Sequence, residues 1–455
     1  MTLADGSLLR FRSTVDRRLD RLPLREIDTL RVLVNYTRTN FFVNKHEPRG
    51  FEYEYLHEFE RFLNERVRRQ KHPIRLEFVV TDLDRALPDL IEGRGDIAAA
   101  SLTITPARQQ KVDFSLPYLV DVDEIVVTNR KVSAPAALAA LGGKRIVVVR
   151  GSSYAEHLQA LARAQRAAGK VPVEVVEASS GIESEDILEL VNAGVVDYTV
   201  VDSHRAKLWA QVLPMIAVHE KLVVNGGGSI AWAVRPESRE LREALDAFID
   251  QDGVRSTLNR MIFDRYFRDT RWIENPDARP LLRRQAAVVE AIKKYSAAAG
   301  LDWRLVLAQA LAASNLESGR RGADGAIGIM QVTPEMAAKV GVTDIDRPER
   351  NIEAGVRYLA SLRDEYARGD RTAAGSVDLA VAAYRMGPRQ VQTLQRYARD
   401  LGLDPARWER NVELVADLTL GDQRTHEVNE VYLYFEAFRL DAGDEAAGGG
   451  PPARR

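Results

Sequence analysis

The stretch GDIAAASLTITPARQQKVDFSLPYL, Gly95 to Leu119, carries a short apolar run straight into a helix start, and that junction decides the fold. Ile97 to Ala100 reads as a buried strand, Thr105 as an N-cap and Pro106 as the first helical residue. Arg108 then falls near a helix start facing the strand ends. In open α/β sheets ligands bind beyond the carboxyl ends of strands, where an arginine can hold a carboxylate through two parallel hydrogen bonds. A surface arginine closing the helix is the other reading of the same spacing. Upstream, Leu30 to Asn35 and Ile74 to Val80 read as strands, and Phe51 to Arg66 and Leu83 to Gly93 as helices, which predicts βα units on a parallel sheet.

Downstream the pattern repeats. A second α/β unit begins near Ile125, with a strand Ile146 to Arg150 running through Gly151-Ser152-Ser153 into a helix from Tyr154. Asp186 to Asn192 reads as helix and Asp197 to Asp202 as strand, while Ser229 to Val234 leads back towards the first lobe. The helices Ser238 to Asp250 and Gly253 to Tyr266 close the region. Two lobes with crossing connections follow. Asp202, at a strand end, either meets a ligand ammonium across the cleft or caps the next helix.

Residues 269 to 281 combine charge with Trp272, Pro276 and Pro280 and read as a linker. From Leu282 to about Leu440 helical periodicity dominates, so an all-α domain is expected. Residues 441 to 455, with Gly448-Gly449-Gly450 and Pro451-Pro452, are expected to be a disordered tail, and residues 1 to 28 a lead segment. The 64 basic and 66 acidic side chains nearly cancel, which argues against a nucleic-acid partner. With no cysteine there is no disulfide, thiolate metal site or cysteine nucleophile. No motif calls for a cofactor or metal. Residues 1 to 30 are too charged for an export signal, and no apolar run is long enough for a transmembrane segment.

The order of elements and the quoted stretch resemble the family 3 extracellular solute-binding proteins over residues 29 to 268, with lobe 1 at about 29–128 and 225–268 and lobe 2 at about 129–224. This resemblance implies an α/β two-lobed periplasmic-binding-protein-like domain for an amino-acid-like solute. Thr103 and Arg108 would hold its carboxylate, Gly151, Ser152 and Ser153 would add contacts, and Asp202 would take its amino group. Ser101 stands where the family often has glycine, and the aromatic content near Tyr36, Phe41 and Phe42 differs from the family's, which leaves the solute open.

Cleaving a glycosidic bond needs a proton for the leaving oxygen, normally from a carboxylic acid whose pKa is raised in a partly apolar site. The segment DWRLVLAQALAASNLESGRRGADGAIGIMQVTPEMA, Asp302 to Ala337, together with NIEAGVRYLASL (Asn351 to Leu362) and LAVAAYRMGP (Leu379 to Pro388), resembles the lysozyme-like domain of the lytic murein transglycosylase F family. That family places a family 3 binding domain ahead of it and, from a single glutamate, yields a 1,6-anhydro product. Counted from Asp302 or back from Gly325-Ala326-Ile327-Gly328, the glutamate position is Ala313. The family asparagine in LAVAAYRMGP is Arg385. Ser314, Met330, Gln331, Tyr384 and Arg385 would line a glycan groove, and Glu427, Tyr432 and Tyr434 match loosely beside it. Glu317, read as one helical turn beyond Ala313 on the same face, is the weak candidate for a substitute acid. The expectation is a peptidoglycan- or muropeptide-binding homologue of the periplasm or cell envelope, with a ligand-sensing domain and impaired catalysis. The alternatives are an active transglycosylase using Glu317, and a solute receptor with a structural α domain.

Overall fold

The computed structural model describes residues 8–9, 23–44, 47–66, 73–252, 256–273, 286–322, 324–367 and 373–441. Most of the expected lead segment, residues 274–281 of the expected linker, 442–455 of the expected tail and 253–255 at the expected start of a helix lie outside the described residues. The chain divides into two compact units, one carried by Met1–Arg279 and the other by most of Pro280–Arg455.

The first unit begins with β1 (Leu8–Leu9), β2 (Thr29–Asn35), β3 (Phe42–Asn44), β4 (Glu47–Arg49), α1 (Phe51–Arg66), β5 (Arg75–Thr81), α2 (Leu83–Ile91), β6 (Ile97–Ala99), α3 (Pro106–Gln109) and β7 (Asp113–Phe114). It continues with β8 (Leu119–Asn129), β9 (Arg145–Val148), α4 (Ser153–Ala167), β10 (Glu174–Glu177), α5 (Ser184–Ala193), β11 (Tyr198–Asp202), α6 (Ser203–Trp209) and β12 (Ile216–Ile230). After these the chain returns through β13 (Ala233–Val234), α7 (Arg239–Asp252) and α8 (Thr257–Phe267).

One sheet has the order β1-β5-β2-β6-β13-β7 and the other β10-β9-β11-β8-β12. β2 is parallel to β5 and β6, as the βα pattern predicts, while the returning β13 is antiparallel to β6. β1 was not expected, and it extends the edge through Leu8 and Leu9 against Glu77 and Phe78. All of β8 pairs within the second sheet, and β12 runs beside it to Ile230, the ladder partner of Leu119, where Thr103 of the first lobe also bridges to Ile230.

β2 is apolar on both faces because both are covered. On one face Leu33 packs with Val79, Ala86, Leu90 and Ala98. Tyr55 and Phe59 of α1 pack against Trp232 and Phe248. The quoted stretch begins with glycine for a steric reason, since a Cβ on Gly95 would meet Leu33 Cγ at 2.4 Å. Asp96 follows because its carboxylate takes Arg31 at 2.7 Å and Arg235 at 3.1 Å, tying β2 to the end of β13. In the second lobe Ile146, Val148, Leu158 and Val200 form the core beneath α4.

The second unit is helical: α9 (Ala286–Ala299), α10 (Trp303–Ser314), α11 (Pro334–Lys339), α12 (Pro348–Tyr366), α13 (Ala373–Met386), α14 (Pro388–Asp400), α15 (Glu413–Leu420) and α16 (Asp422–Asp441). α10 is apolar nearly all round and is the buried centre, with Leu305 to Leu311 at 5% exposure or less. Asn315 ends it in the left-handed conformation (φ 58), its amide donating to Leu311 O. The architecture is therefore an α/β two-lobed unit followed by a lysozyme-like helical unit.

Candidate functional site

The cleft of the first unit is assembled where the ends of β2, β6 and β11 meet the starts of α3, α4, α5 and α6. Its free volume is about 20 Å³, walled by Asn35, Ser101, Thr103, Arg108, Ser153 and Arg205 among others. That is room for one or two heavy atoms. Thr105 caps α3 as expected, accepting from the Arg108 amide at 3.3 Å. Arg108 is 6% exposed, so the surface-arginine reading does not hold.

All three guanidinium nitrogens of Arg108 are occupied by the chain itself. Nε donates to Glu156 Oε1 at 2.9 Å, Nη1 to Thr103 O at 3.1 Å and Nη2 to Gly151 O at 3.0 Å. Thr105 Oγ1 donates to the other oxygen of Glu156 at 2.9 Å. Ser153 Oγ donates to Thr103 Oγ1 at 3.2 Å, and Ser152 caps α4. Gly151 has φ 71, and a Cβ there would meet Asp84 Cα at 2.7 Å. A side chain at that turn would hold the lobes apart.

Asp202 ends β11 at the N-cap position of α6 but makes no side-chain cap. Its carboxyl is 2% exposed and lies 3.7 Å from Arg205 Nε. Burial pushes its pKa up to about 7, against the pull of Arg205 and with Glu124 and Glu185 adding to the rise. Arg205 stays charged, since Glu185, Asp202 and Glu183 overcome the opposing effect of burial. It donates to Glu185 at 2.7 Å, Thr39 Oγ1 at 2.6 Å and Ser101 Oγ at 3.1 Å. Ser101 adopts φ 49, which accounts for glycine at this position in the resembled family. Its amide is held by the buried Glu52 at 3.0 Å. Further bonds join the lobes through Asn35 to Glu183 at 3.2 Å and Arg38 to Glu189 at 3.0 Å.

Glu156, Arg205, Glu185 and Thr39 were missed by the sequence reading. Arg205 had a signal, an arginine three residues after the singled-out Asp202. Glu156 had a weaker one, an acidic residue in the first turn of the helix after the glycine turn.

In the second unit Ala313 lies in the last turn of α10 and is 6% exposed. Ser314 Oγ donates to Ile329 O at 2.7 Å, and Tyr384 OH to Met330 O at 2.8 Å. Asn351 accepts from the Met330 amide at 2.8 Å and donates to Ile327 O at 2.8 Å and Ile345 O at 3.1 Å. Side chains from α10, α12 and α13 thus hold one turn, Ile327 to Gln331. Ser314 and Met330 are fully buried and Tyr384 is 5% exposed, so these three support the turn from beneath. Gln331, with φ 49, is partly exposed. Arg385 reaches Glu427 at 3.4 Å, with its Nε buried and unpartnered.

Glu317 is not one helical turn beyond Ala313 on the same face. α10 ends at Ser314, Asn315 and Leu316 both have positive φ, and Glu317 is exposed past that reversal. Tyr432 donates to Asp378 O at 3.1 Å and Tyr434 to Glu430 at 3.0 Å, so both hydroxyls serve internal contacts. Asn351 was not singled out from the sequence, although its segment was quoted. Among the described residues no group of three or more His, Asp or Glu side chains is placed to hold a metal ion, and no helix is long and apolar enough to cross a membrane.

A two-lobed α/β cleft and a helical unit built round α10 define a solute-binding protein joined to a transglycosylase-type domain. Residues 30–269 match the model of bacterial extracellular solute-binding proteins, family 3, and residues 290–404 that of the transglycosylase SLT domain. The chain belongs to the membrane-bound lytic murein transglycosylase F family. It is 30% identical over 387 residues to that protein of Methylobacillus flagellatus, covering 82% of this chain and 77% of the relative. It is 28% identical over 437 residues to that of Desulfosudis oleivorans, covering 91% of each.

Proposed function

We propose that this chain binds peptidoglycan strands through its helical unit with little or no turnover, and a small solute through its first unit. The observation that carries the reading is Ala313, whose methyl can neither give nor accept a proton at the position where the family's acid is expected. Retention of the framework around it supports binding. Ser314, Asn351 and Tyr384 still hold the turn from three helices. Arg385, in place of the expected asparagine, is a second change at the same region. This function places the chain at the cell envelope, in keeping with relatives named as membrane-bound.

Loss of a general acid lowers rate by about 10²–10⁴-fold. Purified chain incubated with murein sacculi should therefore release anhydromuropeptides at least about 100-fold more slowly than Ala313→Glu combined with Arg385→Asn. Robust release by the parent chain overturns the impaired-catalysis reading. Failure to sediment with insoluble peptidoglycan overturns glycan binding and leaves a solute receptor with a structural helical domain.

A further inference from the structure

Glu156 is a carboxylate of the chain seated on Arg108, the residue expected to hold a solute's carboxylate. Its two oxygens accept from Arg108 and Thr105, and Arg108 has no nitrogen left without a partner. The charge on that side of the cleft is cancelled internally. The opposite side is not balanced in this way. Arg205 faces Asp202, Glu183 and Glu185, while His157 is engaged by Glu124 at 2.7 Å.

The orphaned atoms tell the same story. Among the described residues lining the cavity, the buried side-chain atom without a partner is Asn35 Oδ1, an acceptor on a residue 3% exposed. On the carboxylates flanking Arg205, Asp202 Oδ1 and Glu185 Oε2 are likewise buried and unpartnered. Unsatisfied buried acceptors are costly and are met by donors. A free volume of about 20 Å³ suits an ammonium head better than a larger group, and Leu83 supplies an apolar wall for an alkyl stem.

We propose that the cleft takes its solute by an ammonium group alone, Glu156 having filled the carboxylate clamp, so that its ligands are compact aliphatic amines without a carboxylate rather than amino acids. This rests on the solute-binding reading of the first unit and narrows it.

The test uses pairs that differ by one carboxylate, cadaverine against lysine and putrescine against ornithine, titrated calorimetrically into the full chain. Each amine should bind at least tenfold more tightly than its amino acid. Glu156→Gln, which keeps the side chain's shape, should narrow that gap at least tenfold by improving the amino acids. Asp202→Asn should weaken the amines. Amino acids binding as well as or better than amines in the parent chain overturn the inference and leave solute binding standing. Binding of neither class overturns both.

Discussion

Asp202→Asn separates the cost of burying a charge from the value of the contacts that surround it. The carboxyl is 2% exposed and its pKa is held near 7 against an ordinary 3.8, chiefly by burial. Because the folded value is the higher one, the folded chain binds this proton more tightly than the unfolded chain. The stabilising contribution is therefore complete below about pH 4, is lost as pH rises towards 7 and is flat above that. A shift of roughly three units corresponds to about 4 kcal/mol at most, reduced by whatever relaxation accompanies ionisation. Asparagine keeps the shape and removes the titration. Relative to the parent chain, the variant should gain about 2–4 kcal/mol between pH 4.5 and pH 8. The assay is urea unfolding of the full chain, followed by hydrogen-exchange protection of the peptide covering Tyr198–Asp202, which reports the first unit separately from the helical one. A variant whose stability relative to the parent is the same at both pH values would refute the argument, since Asp202 would then be ionised in the fold at no cost.

Other substitutions probe the helical unit. Asn351→Ala strips the partner from Met330 N and from Ile345 O and removes one of two donors to Ile327 O, which keeps the Val332 amide, and should destabilise that unit by about 2–4 kcal/mol in thermal or urea melts. Gly355→Ala would bring a Cβ to 2.5 Å from Met330 Cβ and should cost about 1–3 kcal/mol. Adding Met330→Ala, which removes the Cγ and Cε that would lie at 2.7 and 3.0 Å but keeps the Cβ, should recover only part of that loss, a coupling readable from a double-mutant cycle. Glu317→Gln should leave any residual release of anhydromuropeptides unchanged, and abolition of that release would restore Glu317 as the acid.

Much of the framework was legible because it depends on local chemistry. Thr105 and Pro106 announce the start of α3, and the apolar run ahead of them announces β6. The full length of β8 was not legible, because its outer half pairs with the far end of β12, and a partner about a hundred residues away leaves no mark on local periodicity. Glu317 was misplaced because helical spacing was carried past Ser314. Of the two left-handed residues that break the helix there, Asn315 is a usual helix-ending type, whereas Leu316 is of a type seldom found in that conformation. The occupancy of Arg108 was invisible for another reason. A motif names the residue able to hold a carboxylate, but whether the chain supplies that carboxylate itself depends on Glu156 arriving from the other lobe.

The two units share a logic. Around Ala313 the supports of the turn are in place while, under the proposed function, the position expected to transfer a proton is an alanine. Around Arg108 the clamp remains in place while its occupant is internal. A surface that recognises a glycan needs shape and hydrogen-bonding groups common to ground and transition states, whereas catalysis needs interactions that strengthen only in the transition state. Removing an acid therefore costs rate without necessarily costing affinity. By the same reasoning, a cleft that carries its own carboxylate has not lost the capacity to bind. Under the amine proposal its selectivity lies at the ammonium end of a solute, where Asp202 Oδ1, Glu185 Oε2 and Asn35 Oδ1 lack donors.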